Sequence, residues 1–232
     1  SLYSQNKQGW FPWIFEQCRI SPGLRILELG CGDGTLWTDN LSLLPEDISI
    51  TLSDISNGML RDARRAIGSS DTRFAFRAFD CRKIPCKDES FDLVIANHVL
   101  FYCDDIPSVL KEVRRVLAPG GRFLCSAYGK AHMQEVSQLV QDFDERIVLS
   151  ADRLYERFGR ENGQSILEPF FPKAHWLSYE DCLLVQDAEP LISYVLSCHG
   201  NQNQYILDRY KEFRAYTCLL YTSPSPRDRQ KS

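Results

Sequence analysis

The sequence predicts an α/β fold: a doubly wound, mostly parallel sheet in a single domain with a helical insertion. Three observations predict it. Five short apolar runs alternate with segments of helical period through residues 25–126, the pattern of strands joined by crossover helices. Phe91–Ala96 (FDLVIA) is apolar almost without a break, as a central strand covered on both faces must be. The first apolar run passes directly into Gly30-Cys31-Gly32-Asp33-Gly34, a turn leading from strand to helix.

In chain order, Lys7–Cys18 reads as a helix, with Trp10, Trp13 and Ile14 at helical spacing and Pro12 tolerated in the first turn. Arg25–Leu29 is the first strand and Ile48–Leu52 the second, closed by Ser53-Asp54. Asn57–Ile67 follows as a helix that Gly68 ends. Arg73–Phe79 alternates as a third strand and stops at Asp80, and Phe91–Ala96 is the fourth. Ile106–Leu117 is amphipathic: Val109, Leu110, Val113, Val116 and Leu117 share one face, and Lys111, Glu112, Arg114 and Arg115 the other. Pro119-Gly120-Gly121 breaks it before a fifth strand, Arg122–Ser126.

Beyond this the pattern loosens. Met133–Phe143 reads as a helix and 151–171 as one or two short helices. Ala174–Tyr179 and Leu183–Gln186 are short strand candidates, together a broken sixth strand, and Asp187–Ser197 and Gln204–Tyr216 read as helices. From about Thr222 the composition turns abruptly to Ser, Pro and Arg, so 222–232 is expected to be a disordered, non-native tail.

The 232 residues, 44% of them hydrophobic, suffice for one well-filled core. A net charge of −4 gives no general attraction for a phosphate backbone, so nucleic acid is not an expected partner. No run of eighteen apolar residues exists to form a membrane-spanning helix, and no charged leader precedes an apolar stretch. The chain starts at Ser1, which reads as a fragment or a trimmed chain. Its nine cysteines are scattered without a CxxC pair, and Cys81 and Cys86 lack matching ligands. The expectation is therefore no metal site and free thiols in a reducing cytoplasm.

The chemistry concentrates at strand ends. Glycines in GCGDG let the backbone approach a ligand where a Cβ would collide, and the next helix aims its amides at the same crevice. A dinucleotide fingerprint counted from Gly30 would need glycine at Thr35, and the acidic Glu28 two places earlier is foreign to it. Asp54, ending the second strand, suits two ribose hydroxyls, and Asp80, ending the third, suits the exocyclic amine of adenine. Either acid alone could be a turn or helix-cap carboxylate. Three acids at successive strand ends beside a glycine turn are hard to obtain by accident.

ELGCGDG, LSDIS, FDCRKIPCKDESFDLVIANHVLFY and VRRVLAPGGRFLCSA, in this order and spacing, resemble the successive motifs of class I S-adenosylmethionine-dependent methyltransferases. The likeness is closest to the small-molecule branch of quinone- and biotin-pathway enzymes. It covers roughly residues 1–126 and implies a Rossmann-like fold with S-adenosyl-L-methionine as cofactor. By this resemblance Gly30 and Gly32 face the methionine and ribose part, and Glu28 helps hold the methionine amino group. Asp54 binds the ribose, Asp80 with the Cys81 amide binds adenine, and the Asn97 carbonyl lies near the methionyl group. With Cys31 and Ile55 beside them, these complete the expected cofactor-binding set. Tyr3, Trp10 and the NKQGW segment are expected to close over the pocket.

The resemblance also organises the chain as one methyltransferase domain over 1–221. It has a cofactor core at 20–128, a variable helical lid at 129–172, and a strand and helices at 173–221. The family sheet ends with an antiparallel seventh strand beside the fifth. None is legible after Tyr216, so the expectation is a truncated chain with an open sheet edge.

A sulfonium methyl is already activated, so a base is needed only where the acceptor must lose a proton. His98 is the best-placed candidate, with local packing an equal explanation; His132 and His175 are weaker. The turn Asn97-His98-Val99-Leu100 lacks the Pro-Pro-aromatic pattern of nucleobase and glutamine amine methylation. Pro85-Cys86 precedes the fourth strand, unlike the cytosine-methylase nucleophile, and Asp104-Asp105 reads as a helix cap rather than a magnesium site. A small organic acceptor remains. The competing readings are a non-catalytic methyltransferase-like binding domain and, more distantly, an NAD-dependent oxidoreductase.

Overall fold

The computed structural model describes residues 3–149 and 153–222. Its strands are β1 (Arg25–Leu29), β2 (Ser49–Asp54), β3 (Phe74–Ala78), β4 (Phe91–Ala96) and β5 (Leu117–Cys125). They form one sheet in the order β3-β2-β1-β4-β5, and every pairing is parallel. The order reverses between β1 and its neighbours, so a crevice opens at the carboxyl ends of β1 and β4.

Helices α1 (Trp10–Cys18), α2 (Thr35–Thr38) and α3 (Asn57–Ile67) cover one face of the sheet. Gly9, at φ 80°, delays the start of α1 to Trp10. α3 runs as its sequence dictates: the Ser56 hydroxyl accepts from the Met59 amide (3.3 Å), Leu60, Ala63 and Ile67 are buried, and Gly68 closes the helix. α4 (Ile106–Val116) covers the other face, burying Ile106, Val109, Leu110, Val113 and Val116. The Asp105 carboxylate accepts from the Ser108 amide (3.0 Å) as the cap of α4, as the sequence predicts.

β5 starts earlier than its sequence suggests. Phe91 pairs with Leu117 while Leu93 pairs with Arg122, so Pro119-Gly120-Gly121 bulges out within the strand instead of preceding it.

The later helices are α5 (Gln134–Phe143), α6 (Leu154–Arg157), α7 (Gly163–Leu167), α8 (Ala188–Ser197), α9 (Gln202–Ile206) and α10 (Tyr210–Thr222). Two strand expectations are corrected. Ala174–Tyr179 is irregular: Trp176 and Leu177 are adjacent and both exposed, so alternation gives no single face to bury. Leu183–Gln186 makes only an isolated antiparallel bridge, between Leu183 and Ser4. Asp181 turns the chain there, accepting from the Ser4 hydroxyl (2.7 Å) and the Asn6 amide (3.0 Å). Among the described residues the sheet has five strands, without the sixth. The tail expected from Thr222 lies, beyond that residue, outside the described residues.

The chain divides into two compact units. The sheet unit comprises Lys7–Lys130 and Leu154–Glu180; the helical unit is drawn from 1–6, 131–153 and 181–232. Val140, Ile147, Ile192, Val195, Ile206 and Phe213 form the buried core of the helical unit. Among the described residues no helix is long and apolar enough to cross a membrane.

Candidate active site

The expected cofactor-binding residues belong to the sheet unit: Glu28 and Asp54 lie at the carboxyl ends of β1 and β2, and the others follow the carboxyl ends of their strands. The register aligns those ends: Leu29 lies opposite Ser53, Asp54 opposite Ala78, and Glu28 opposite Ile95.

The glycine turn is held from below. The Cys31 amide donates to the Ser53 carbonyl (2.9 Å), and the Ser53 hydroxyl to the Glu28 carbonyl (2.8 Å). Gly30 and Gly32 have φ of 65° and 55°, left-handed values that favour glycine. They differ in surroundings. A Cβ on Gly30 would lie 2.4 Å from Val99 Cγ2, so this glycine lets the β1 and β4 turns pack together. A Cβ on Gly32 would meet no protein atom within 4 Å, so this backbone faces open space. The Gly32 amide donates to Asp54 Oδ2 (3.1 Å) while Asp54 Oδ1 accepts from the Ser56 amide (2.8 Å). Asp54 is thereby fixed beside the turn, and Ile55 after it is 77% exposed.

Glu28 is buried in β1, and its Oε2 accepts from the Trp37 indole (2.6 Å). Burial pushes its carboxyl up to about 7; the indole bond opposes this and the Asp54 charge adds to it. Burial likewise raises the Cys31 thiol. Asp80 is clamped by its own neighbour, with Arg82 Nη2 2.6 Å from Oδ2 and the Arg82 amide 2.8 Å from Oδ1. That guanidinium holds its carboxyl below the usual range. The Cys81 and Cys103 sulfurs are 3.5 Å apart, a contact that lowers the first thiol and raises the second.

Past β4, Asn97 Oδ1 accepts from the Ser126 hydroxyl (2.7 Å), whose oxygen in turn accepts from the His98 amide (2.9 Å). His98 has a left-handed φ of 55°, and its ring lies 4.9 Å from Trp10, 6.0 Å from Phe101 and 6.3 Å from Tyr128. Tyr3 belongs to the helical unit, where its carbonyl accepts from the Leu184 amide (2.8 Å). A cleft of about 750 Å³ lies beyond Cys103, walled by Asp104, Pro107, Arg157 and Phe170; it does not include the glycine turn.

Sequence reasoning missed Trp37, Ser126 and Val99. Ser126 and Val99 each follow a strand whose neighbour carries the residue they support, which only the strand order reveals, and Trp37 lies on the short helix after the strand that carries Glu28.

A doubly wound parallel sheet with a glycine turn after β1 and acids after β2 and β3 defines a class of nucleotide-cofactor proteins. Residues 27–125 match the family described as "Methyltransferase domain". Over this stretch, which is less than half of the chain, the sequence is similar to methyltransferases. The demethylmenaquinone methyltransferase of Symbiobacterium thermophilum is 33% identical over 120 residues, covering 51% of this chain and 48% of that protein. The malonyl-[acyl-carrier protein] O-methyltransferase of Pseudescherichia vulneris is 28% identical over 165 residues, covering 68% and 60%. The chain thus spans less than two thirds of the length of either relative. Among solved structures, the YcgJ protein of Bacillus subtilis has a TM-score of 0.58 at 17% identity, covering 89% of this chain and 82% of that one, a likeness of fold.

Proposed function

We propose that this chain transfers the methyl group of S-adenosylmethionine to a small organic acceptor. The observation that carries the reading is the open face of Gly32 beside an Asp54 carboxylate fixed by two backbone amides. The residues present fit the cofactor: a Cβ would fill that space, and the carboxylate retains lone pairs for ribose hydroxyls. When bound, the cofactor supplies an activated sulfonium methyl, so positioning an acceptor in line provides much of the rate.

In this reading Gly30, Cys31 and Gly32 form the backbone cradle, and Glu28 braces it from within the sheet through Trp37. Asp54 takes the ribose, Ile55 offers an apolar face to the adenine, and Asp80 with the Cys81 amide takes its polar edge. Asn97 lends its carbonyl near the methionyl group. His98 is the candidate base where the acceptor carries a proton. Nine free cysteines fit a reducing, cytoplasmic setting.

Calorimetric titration with S-adenosylmethionine and, separately, with NADH tests the cofactor. Micromolar binding of the first alone is expected, and binding of NADH alone overturns the reading. Methyl release over a panel of small acceptors then distinguishes an enzyme from a binding domain.

A further inference from the structure

Two cysteines of the sheet unit meet where the segments after β3 and β4 come together. Cys81 follows Asp80 after β3, and Cys103 follows the turn Leu100–Tyr102 after β4. Their sulfurs are 3.5 Å apart although the residues are 22 apart in the chain. Cys18 and Cys31 are buried as apolar core filler, the usual place of a structural thiol. Cys81 and Cys103 are only half-buried. Cys103 also lines the open cleft of about 750 Å³, which gives a small solute a route to the pair.

The two thiols are not equivalent. The hydrogen bond between the sulfurs lowers the Cys81 thiol, against the effect of burial, and raises that of Cys103. The Cys103 sulfur donates toward the Val99 carbonyl (3.7 Å) and can turn the same hydrogen to Cys81 once that sulfur ionises. Cys81 is thus the nucleophile and Cys103 the neighbour that resolves it. Both backbones are anchored. The Lys83 amide donates to the Asp80 carbonyl (2.9 Å) and the Cys103 amide to the Leu100 carbonyl (3.0 Å).

We propose that Cys81 and Cys103 form a modification site, oxidised by peroxide to a disulfide that weakens cofactor binding. The disulfide stands on the thiols alone; its effect on the cofactor rests on the methyltransferase reading. The Cys81 thiolate attacks one oxygen of hydrogen peroxide, the O–O bond breaks, and the other oxygen leaves as water after taking a proton. The Cys103 sulfur then attacks the Cys81 sulfenic acid. The S–S bond forms, the S–O bond breaks, and the departing hydroxide takes the Cys103 proton as a second water. Two thiols have then given two electrons to one peroxide, and a dithiol reverses the change by exchange. In reducing surroundings such a disulfide is transient and sensing rather than structural. Closing the sulfurs from 3.5 Å to about 2.05 Å pulls on both anchored segments, and the Cys81 amide proposed for adenine moves with its sulfur.

The test treats the full chain with one equivalent of hydrogen peroxide, blocks the remaining thiols, and maps tryptic fragments. S-adenosylmethionine affinity is measured by calorimetry on the same samples. Fragment 78–82 joined to 88–111 is expected, formed ahead of any oxidation at the exposed Cys182 and undone by dithiothreitol. Affinity should fall by roughly three- to tenfold, the value of one neutral hydrogen bond, and return on reduction. Cys103→Ser should bind the cofactor as the reduced chain does, and under peroxide its Cys81 should be captured by dimedone as the sulfenic acid. Absence of the joined fragment, oxidation of Cys182 at least as fast, unchanged affinity in the joined form, or no dimedone capture overturns the proposal. A reduced chain that does not bind S-adenosylmethionine defeats the methyltransferase reading, while the joined fragment still decides the thiol pair.

Discussion

Glu28 is 2% exposed, and a carboxylate held there loses its hydration for one indole bond. Its folded pKa of about 7 lies above the 4.5 of an unperturbed carboxyl, so between those values the folded chain keeps a proton that the unfolded chain has lost. Stability from this group is therefore full below pH 4.5 and falls as pH rises toward 7, by a few kcal/mol at most, at about 1.4 per pH unit. Glu28→Gln, which keeps an oxygen for Trp37, should flatten urea-unfolding stability between pH 5 and 7. An unchanged slope would mean that Glu28 stays ionised. Gly30 carries a second prediction. Gly30→Ala meets Val99 and a left-handed φ together, a cost on the order of 1–3 kcal/mol. Adding Val99→Ala should recover part of it, leaving the backbone strain; full recovery would show that the clash alone matters. Such couplings are hidden in the sequence. ELGCGDG announces the turn, but nothing in it says that Val99, Trp37 and Ser126 will support it.

At the level of elements, Arg115 of α4 clasps the segment between β3 and β4. Its guanidinium donates to the Ile84 and Cys86 carbonyls (2.8 Å each) and to Asp88 (2.7 Å), and it pairs with Glu112, which accepts from the Ile84 amide. That segment begins at the Asp80–Cys81 rim. Arg115→Met should lower unfolding stability by about 1–3 kcal/mol. It should also weaken cofactor affinity measured by calorimetry; undiminished affinity would show that the rim holds its shape unaided. Elements with strong local signals were legible: α3 has its capping serine and closing glycine, and β4 its unbroken apolar run. Ala174–Tyr179 and Leu183–Gln186 mimic strands through aromatic and apolar content, yet the first joins no strand among the described residues and the second makes only the Leu183–Ser4 bridge. The start of β5 was missed because a bulge follows from pairing with β4, which periodicity cannot express.

For the whole molecule, the proposed cofactor residues fall in the sheet unit alone. Ligand binding stabilises what it touches by mass action, about 2.7 kcal/mol at a hundred times Kd. Hydrogen exchange with saturating S-adenosylmethionine should slow sharply in β1, β2 and β4 and change little in α8 and α10. Equal slowing in both would show that the two units open as one. The division also sets an order of events at the ribosome. Ser4 hydrogen-bonds Asp181, 177 residues further along the chain. At the usual pace of translation that leaves Ser4 waiting roughly ten to thirty seconds for its partner to be made. All five strands are synthesised in that interval, so the sheet can close while most of the helical unit is still unwritten. The stretch around Ser4 is then among the last of these to find its place.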